Sequence, residues 1–238
     1  MVSFCDIFSM YMNDKYICIN LIYLLMALCL VFDIGYIICK AKNKNIIGLF
    51  AKTFAALCFI TIGYFGYKAN DTLFTRFILL GLILDGIGDL FLAFRNIFAK
   101  KLTFFIGTLA FLAGHIVFIR ALTLLNNVYF IECIIISILF GSIVFYLLSK
   151  ACRLNKIYTV VGISYIMIIS MMVFLSVGVY LTTSTINHLT FMIGAILFMS
   201  SDIILSLYNF SRKDKWMHPT YSLLYFIAQI LISFSLHI

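Results

Sequence analysis

The sequence is short of almost everything that keeps a folded chain in water. Only 11% of its 238 residues are charged, against 64% that are apolar. Soluble domains carry about a quarter charged residues. Mean hydropathy is +1.14. A water-soluble fold of this length cannot hide so much apolar surface, so lipid must be part of its solvent. Proline occurs once and glycine thirteen times. That leaves no material for a flexible linker, and one compact domain over 1–238 is expected.

Acidic residues are also scarce: nine Asp and Glu stand against seventeen Lys and Arg, for a net charge of +8. The surplus does not point to nucleic acid. The cations sit in short clusters between apolar runs, with no basic stripe interleaved with aromatics. No two of the seven cysteines (Cys5, Cys18, Cys29, Cys39, Cys58, Cys133, Cys152) have CxxC spacing. That excludes a zinc motif or disulfide framework and leaves them as small buried hydrophobes. The N-terminal run lacks a basic start followed by a small-residue cleavage site. It is expected to be an uncleaved first span.

What the chain does have is eight apolar segments, at about 16–39, 46–67, 73–94, 103–125, 128–149, 157–180, 188–210 and 218–237. Each is near the ~20 residues a bilayer requires. In lipid the backbone must satisfy itself, so these are helices; regular alternation of a porin-like strand is absent. The expected fold class is an all-α integral membrane protein with eight transmembrane helices.

Cations mark alternate loops: Lys40, Lys42 and Lys44; Arg95, Lys100 and Lys101; Lys150, Arg153 and Lys156; Arg212, Lys213 and Lys215. The positive-inside rule then puts these four loops in the cytoplasm and both termini outside. The sequon Asn70-Asp71-Thr72 falls on the outer side, too near the membrane to be used. Pro219 suits the start of the last helix. Asp14, Asp33 and Glu132 lie near span ends, where they can reach the interface, and His188, His218 and His237 lie at span ends or in a loop as ordinary interface residues; none calls for a special role.

Two stretches of the chain match. Gly81 precedes Asp89 by eight residues, as Gly194 precedes Asp202, with aliphatics at corresponding places. Asn96 aligns with Asn209, Phe111 to His115 with Tyr225 to Gln229, and Lys52 with Tyr165. This suggests a parallel 4+4 repeat, with halves of roughly 16–149 and 150–238.

The same stretches hold the ionisable residues inside the spans. A carboxylate at mid-span costs ~2.5–3.5 kcal/mol on insertion scales. Asp85 and Asp89 share one face of span 3, with Gly86 and Gly88 between them, and Asp202 lies in span 7. Lys52, His115 and Gln229 add polar groups to spans 2, 4 and 8. Together they are expected to line one cavity open to the cytoplasmic side. Structural roles stand beside this reading. Asp89 and Asp202 can be held by Lys52 or by interhelical donors, Asp85 can be supporting, and His115, Tyr225 and Gln229 can be interhelical hydrogen-bonders. A proton-coupled transporter or a lipid-sensing receptor would use the same polar core.

Gly88-Asp89, the span Phe105-Ile106-Gly107 through Ala113-Gly114-His115, and Gly194 through Ser200-Ser201-Asp202 together resemble the YhhN family of membrane lysoplasmalogenases. Tyr225-Phe226-Ile227-Ala228-Gln229 is similar to that family's last helix, and Lys52, Tyr165 and Met171 to the rest of its pattern. Thr53 stands where the family commonly has proline. The resemblance implies hydrolysis of the vinyl ether bond of lysoplasmalogens, giving a fatty aldehyde and glycerophosphoethanolamine or glycerophosphocholine. It also implies a multi-pass location in internal membranes, or in the cell membrane of a bacterium.

That chemistry suits two carboxyl groups, one protonated and one ionised, by analogy with glycoside hydrolysis. Asp89 and Asp202 are the expected pair, with His115 positioning a carboxylate or the water. Lys52 is expected to meet the phosphate, and Asp85, Tyr165, Tyr225 and Gln229 to contribute to substrate binding. No cofactor or metal is required. The expected partners are the lysophospholipid and the bilayer, not nucleic acid; a homo-oligomer is compatible with this reading.

Overall fold

The computed structural model describes residues 4–95, 97–98, 100–125, 127–152 and 156–237, with side chains from residue 19 onward except those of residues 100 and 156–158. Asn96 and Arg153 lie outside the described residues, as do the side chains of Cys5, Asp14, Cys18, Lys100 and Lys156.

Among the described residues the secondary structure is entirely helical. The eight helices are α1 (Phe4–Ala41), α2 (Asn45–Ala69), α3 (Leu73–Phe94), α4 (Lys100–Leu122), α5 (Phe130–Ala151), α6 (Lys156–Thr183), α7 (Ile186–Phe210) and α8 (Met217–Phe234). Seven of them are long and apolar enough to cross a membrane. The chain is therefore a multi-pass helical membrane protein. The exterior agrees: Ile46, Phe50, Leu57, Ile131, Leu139 and Ile143 are exposed, whereas Asp33, Asp85, Asp89, His115 and Gln229 are buried. In water that distribution would be inverted.

The eighth helix is more polar than the other seven, and its packing explains why. Ten of its 18 residues are buried, Ser222, Tyr225, Gln229 and Ser233 among them. It packs against α1, α2, α3 and α7. A helix lined by protein on several sides can be more polar than one lined by lipid. In α5, by contrast, four residues of 22 are buried.

Neighbour contacts arrange α2, α3, α4, α6, α7 and α8 in a ring. α1 packs outside on α2 and α8, and α5 outside on α6 and α7. The tightest seam, between α3 and α4, is made by glycine. A Cβ at Gly107 would lie 3.1 Å from the carbonyl oxygen of Gly88, and one at Gly114 would strike the Asp85 carboxylate. The Phe118 ring fills the place of a side chain at Gly81. Such small residues let two backbones approach closely. Gly81→Val is expected to force the seam apart at about 1–3 kcal/mol. Thermal unfolding in detergent should show a lowered midpoint with helix content retained; an unchanged midpoint would contradict this packing.

The α2–α3 turn is capped at the residues of the sequon. Thr72 Oγ1 accepts from the Thr75 backbone N–H, and Arg76 makes two hydrogen bonds to Asp71, of 2.6 and 2.8 Å. The Arg76 hydrogen bond holds the Asp71 carboxyl below the usual range. Pro219 lies in the first turn of α8, as its missing N–H favours.

Two expectations are corrected. Asp33 does not reach the interface: it is fully buried and accepts a 2.5 Å hydrogen bond from Ser222 Oγ. His218 is not an interfacial residue either. It is buried with its ring against those of Tyr36, Tyr208 and Tyr221.

Candidate functional site

α3 and α8 meet through paired positions. Asp85 and Asp89 are one turn apart on α3, and Tyr225 and Gln229 are one turn apart on α8, so two rungs form at once. Tyr225 OH donates to Asp89 Oδ2 at 2.7 Å, and Gln229 Nε2 donates to Asp85 Oδ2 at 2.6 Å. Gln229 Nε2 also reaches Tyr225 OH at 3.1 Å, linking the rungs. From α2, the Lys52 ammonium stands 2.9 Å from Asp89 Oδ1. Asp89 thus has a cation and a hydroxyl donor. Asp85 has one amide donor, and its Oδ1 is buried without a hydrogen bond.

Asp202 is held differently. Tyr165 OH, from α6, donates to its Oδ2 at 2.6 Å, and His115 Nε2, from α4, lies 3.1 Å from the same hydroxyl. With the tyrosine proton directed to Asp202, Nε2 is the donor to the tyrosine oxygen. His115 Nε2 is 3.9 Å from Asp202 Oδ2 itself. No lysine or arginine is paired with Asp202 among the described residues.

Aromatic rings stand between the two networks. Phe198 is edge-on to Tyr225 at 5.2 Å and to His115 at 4.7 Å, and Phe111 is edge-on to Tyr225 at 5.8 Å. Packed rings of this kind fix the side chains that carry the polar groups.

Two cavities adjoin these networks. One, of about 230 Å³, is polar; Lys52, Asp89, Asp202 and Tyr225 line it, and so do Lys40, Arg95 and Lys213. Those last three lie near the ends of α1 and α3 and after α7, so the chamber faces the end of the bundle that carries the basic loops. The other, of about 100 Å³, is an apolar cleft among α4, α5, α6 and α7, lined by Phe104, Phe145, Leu148, Val161, Tyr165 and Phe210 among others. Both include Leu92, Phe111, Asp202, Leu205 and Asn209. The cleft occupies a gap: α3 touches α8, but among the described residues α4 and α7 make no comparable backbone contact. Asp202 stands where the polar chamber and the apolar cleft meet.

The structure therefore brings together every residue singled out from the sequence, though not all on one surface. Lys52, Asp89, Asp202 and Tyr225 line the chamber and Tyr165 the cleft. Asp85, His115 and Gln229 are fully buried behind them. Sequence reasoning missed Arg95, Lys40 and Lys213 as site residues, because the positive-inside rule already accounted for them. It also missed Tyr36 and Ser222, which nothing in composition distinguishes from other interior residues.

The constellation has one carboxyl group paired with a lysine, a second without a lysine or arginine among the described residues, and a chamber joined to an apolar cleft. No curated protein and no solved structure matches the chain. Its sequence does match the YhhN family over residues 47–236, a stretch that takes in every residue of both networks. The chain belongs to the YhhN family, the family of lysoplasmalogenases.

Proposed function

We propose that this protein hydrolyses the vinyl ether bond of lysoplasmalogens, with Asp202 as general acid and Asp89 as the fixed carboxylate. The observation that carries this reading is the different setting of the two aspartates on one chamber. Lys52 and Tyr225 favour the ionised form of Asp89. Asp202 has a hydroxyl donor on Oδ2, which leaves Oδ1 to hold a proton. Its place at the mouth of the apolar cleft suits a group that must protonate carbon.

Asp202 transfers its proton to the β-carbon of the vinyl ether, and the α-carbon becomes an oxocarbenium ion. The Asp89 carboxylate stabilises that cation and accepts a proton as water adds to the α-carbon. The hemiacetal collapses: the Asp202 carboxylate takes its hydroxyl proton, the protonated Asp89 gives its proton to the departing glycerol oxygen, and the aldehyde forms. Asp202 is then protonated and Asp89 ionised, ready for the next turnover. His115 holds Tyr165, and Tyr165 holds Asp202. Gln229 and Asp85 hold Tyr225, which steadies Asp89.

We read all eight helices as spans, in two four-helix halves with the basic loops cytoplasmic and both termini outside. Corresponding contacts support the halves. Lys52 is separated from Tyr165 by the same number of residues as Asp89 from Asp202, and the pairs Lys52–Asp89 and Tyr165–Asp202 are both in contact. Gly81 packs on Phe118 as Gly194 packs on Ile232. On this orientation the chamber opens to the cytoplasm and substrate arrives from that leaflet.

The test is to incubate membranes containing the protein with a 1-alkenyl lysophospholipid and to measure fatty aldehyde. Aldehyde release above that of membranes without the protein is expected. Its absence, with the protein present and folded, would overturn the assignment.

A further inference from the structure

Under the lysoplasmalogenase reading the substrate's anionic group still lacks a partner. Lys52 is the chamber's deepest cation, but Asp89 already engages its ammonium at 2.9 Å. Four cations line the chamber (Lys40, Lys52, Arg95, Lys213) against two carboxylates (Asp89, Asp202). With Lys52 offset by Asp89, Arg95 and Lys213 line the chamber with no carboxylate paired to them among the described residues. They stand on its basic-loop side, away from the fully buried Asp85 and Gln229.

We propose that Arg95, with Lys40 and Lys213, forms a subsite for a phosphate ester: the headgroup phosphate of the bound lysolipid. Arg95 is the anchor. Its Nη1 donates to Asn209 Oδ1 at 3.0 Å, and its guanidinium lies 4.7 Å from the centroid of the Phe104 ring. A guanidinium held in this way has little further freedom to lose on binding, and its other N–H groups form the fork that matches phosphate oxygens. Asn209 and Phe104 both line the apolar cleft, and Asn209 and Arg95 line the chamber. The residue that fixes the arginine is thus shared with the place assigned to the hydrocarbon chain.

The layout orders the substrate along one path. The hydrocarbon chain lies in the cleft, the vinyl ether passes Asp202, and the glycerol spans the chamber toward Arg95. Phosphate and reacting bond are a glycerol apart, so binding energy gained at the phosphate positions the bond for protonation. The subsite makes phosphate a requirement for efficient turnover. Lysolipids with different headgroups share that phosphate, so the subsite predicts discrimination against a substrate lacking it rather than between headgroups.

The experiment compares the detergent-purified full chain on two substrates with the same vinyl ether: a 1-alkenyl lysophosphatidylcholine and the corresponding 1-alkenylglycerol, which has no phosphate. The unaltered protein should prefer the first by about 100-fold in kcat/KM, and Arg95→Gln should narrow that ratio about tenfold or more, mainly through KM. Lys213→Gln, in an exposed loop, should narrow it less and serves if Arg95→Gln does not fold. Equal rates on the two substrates, or a ratio unmoved in both variants, would overturn the subsite. A parallel arm measures thermal stabilisation by lysophosphatidylcholine, glycerophosphocholine and inorganic phosphate. If neither vinyl ether is cleaved, stabilisation by glycerophosphocholine that is lost in Arg95→Gln supports the subsite while the hydrolase reading fails. Absence of any stabilisation then overturns both. Stabilisation by inorganic phosphate equal to that by the lysolipid would assign the cations to free phosphate and overturn the lipid assignment.

Discussion

Asp202→Asn should lower aldehyde release by about 10²–10⁴-fold, the contribution typical of a positioned general acid. The substitution is close to isosteric and keeps an oxygen to accept the 2.6 Å hydrogen bond from Tyr165, so the bundle should hold together. What it removes is the proton that must reach the β-carbon. Asp89→Asn should cost a comparable factor for another reason: the fixed charge facing the oxocarbenium ion is gone. It also leaves the Lys52 ammonium buried with no carboxylate beside it, so lost stability accompanies lost turnover. Asp202→Asn is therefore the cleaner test. Aldehyde formation from a 1-alkenyl lysophospholipid would be followed at equal amounts of folded protein, checked by gel filtration in detergent. Full activity in either variant would sink the two-carboxylate mechanism. Tyr165→Phe is a graded control, since it removes the donor to Asp202 and the partner of His115 but leaves the acidic proton in place, and it should cost less than Asp202→Asn.

The parts of the structure that could be read from the sequence were those where a single residue type had a single explanation. Uninterrupted apolar runs admit only helices in lipid, and they put α2 to α7 within a few residues of their observed bounds. Aspartates inside such runs must be buried and held, and Asp85, Asp89 and Asp202 are. Where two explanations competed, the simpler one hid the other. Arg95 fits the positive-inside rule, so its place beside Asn209 and over Phe104 left no trace in the pattern. Asp33 lies eight residues before the end of α1, close enough to suggest an interface. Only the packing of α8 on α1 shows that Ser222 covers it. Hydropathy likewise undervalues α8, because it scores side chains against lipid and this helix meets mainly protein. The cleft beside α4 and α7 is left because, among the described residues, their backbones do not approach closely and their rings meet instead, and no sequence pattern records that.

Lys52→Met should destabilise the protein by about 3–5 kcal/mol, because it strips a buried carboxylate of its cation. The choice of methionine keeps the volume of the aliphatic stem, so the loss reports charge rather than a cavity. Two roles for Lys52 can then be separated. If it binds the phosphate, the variant should raise KM while kcat and the unfolding midpoint stay near those of the unaltered protein. If its work is to keep Asp89 ionised, as the 2.9 Å contact indicates, kcat and stability should fall together. An unpaired carboxylate in this interior takes up a proton sooner than remain charged, and a neutral Asp89 cannot steady the oxocarbenium ion. The double variant Lys52→Met/Asp89→Asn decides the matter. Removing both charges should restore most of the stability lost in Lys52→Met, giving a coupling well above the few tenths of a kcal/mol expected of independent sites. Activity should remain absent, because the fixed anion is then missing. Additive losses in stability would show that the two side chains do not act as a pair, and the charge assignment for Asp89 would have to be abandoned.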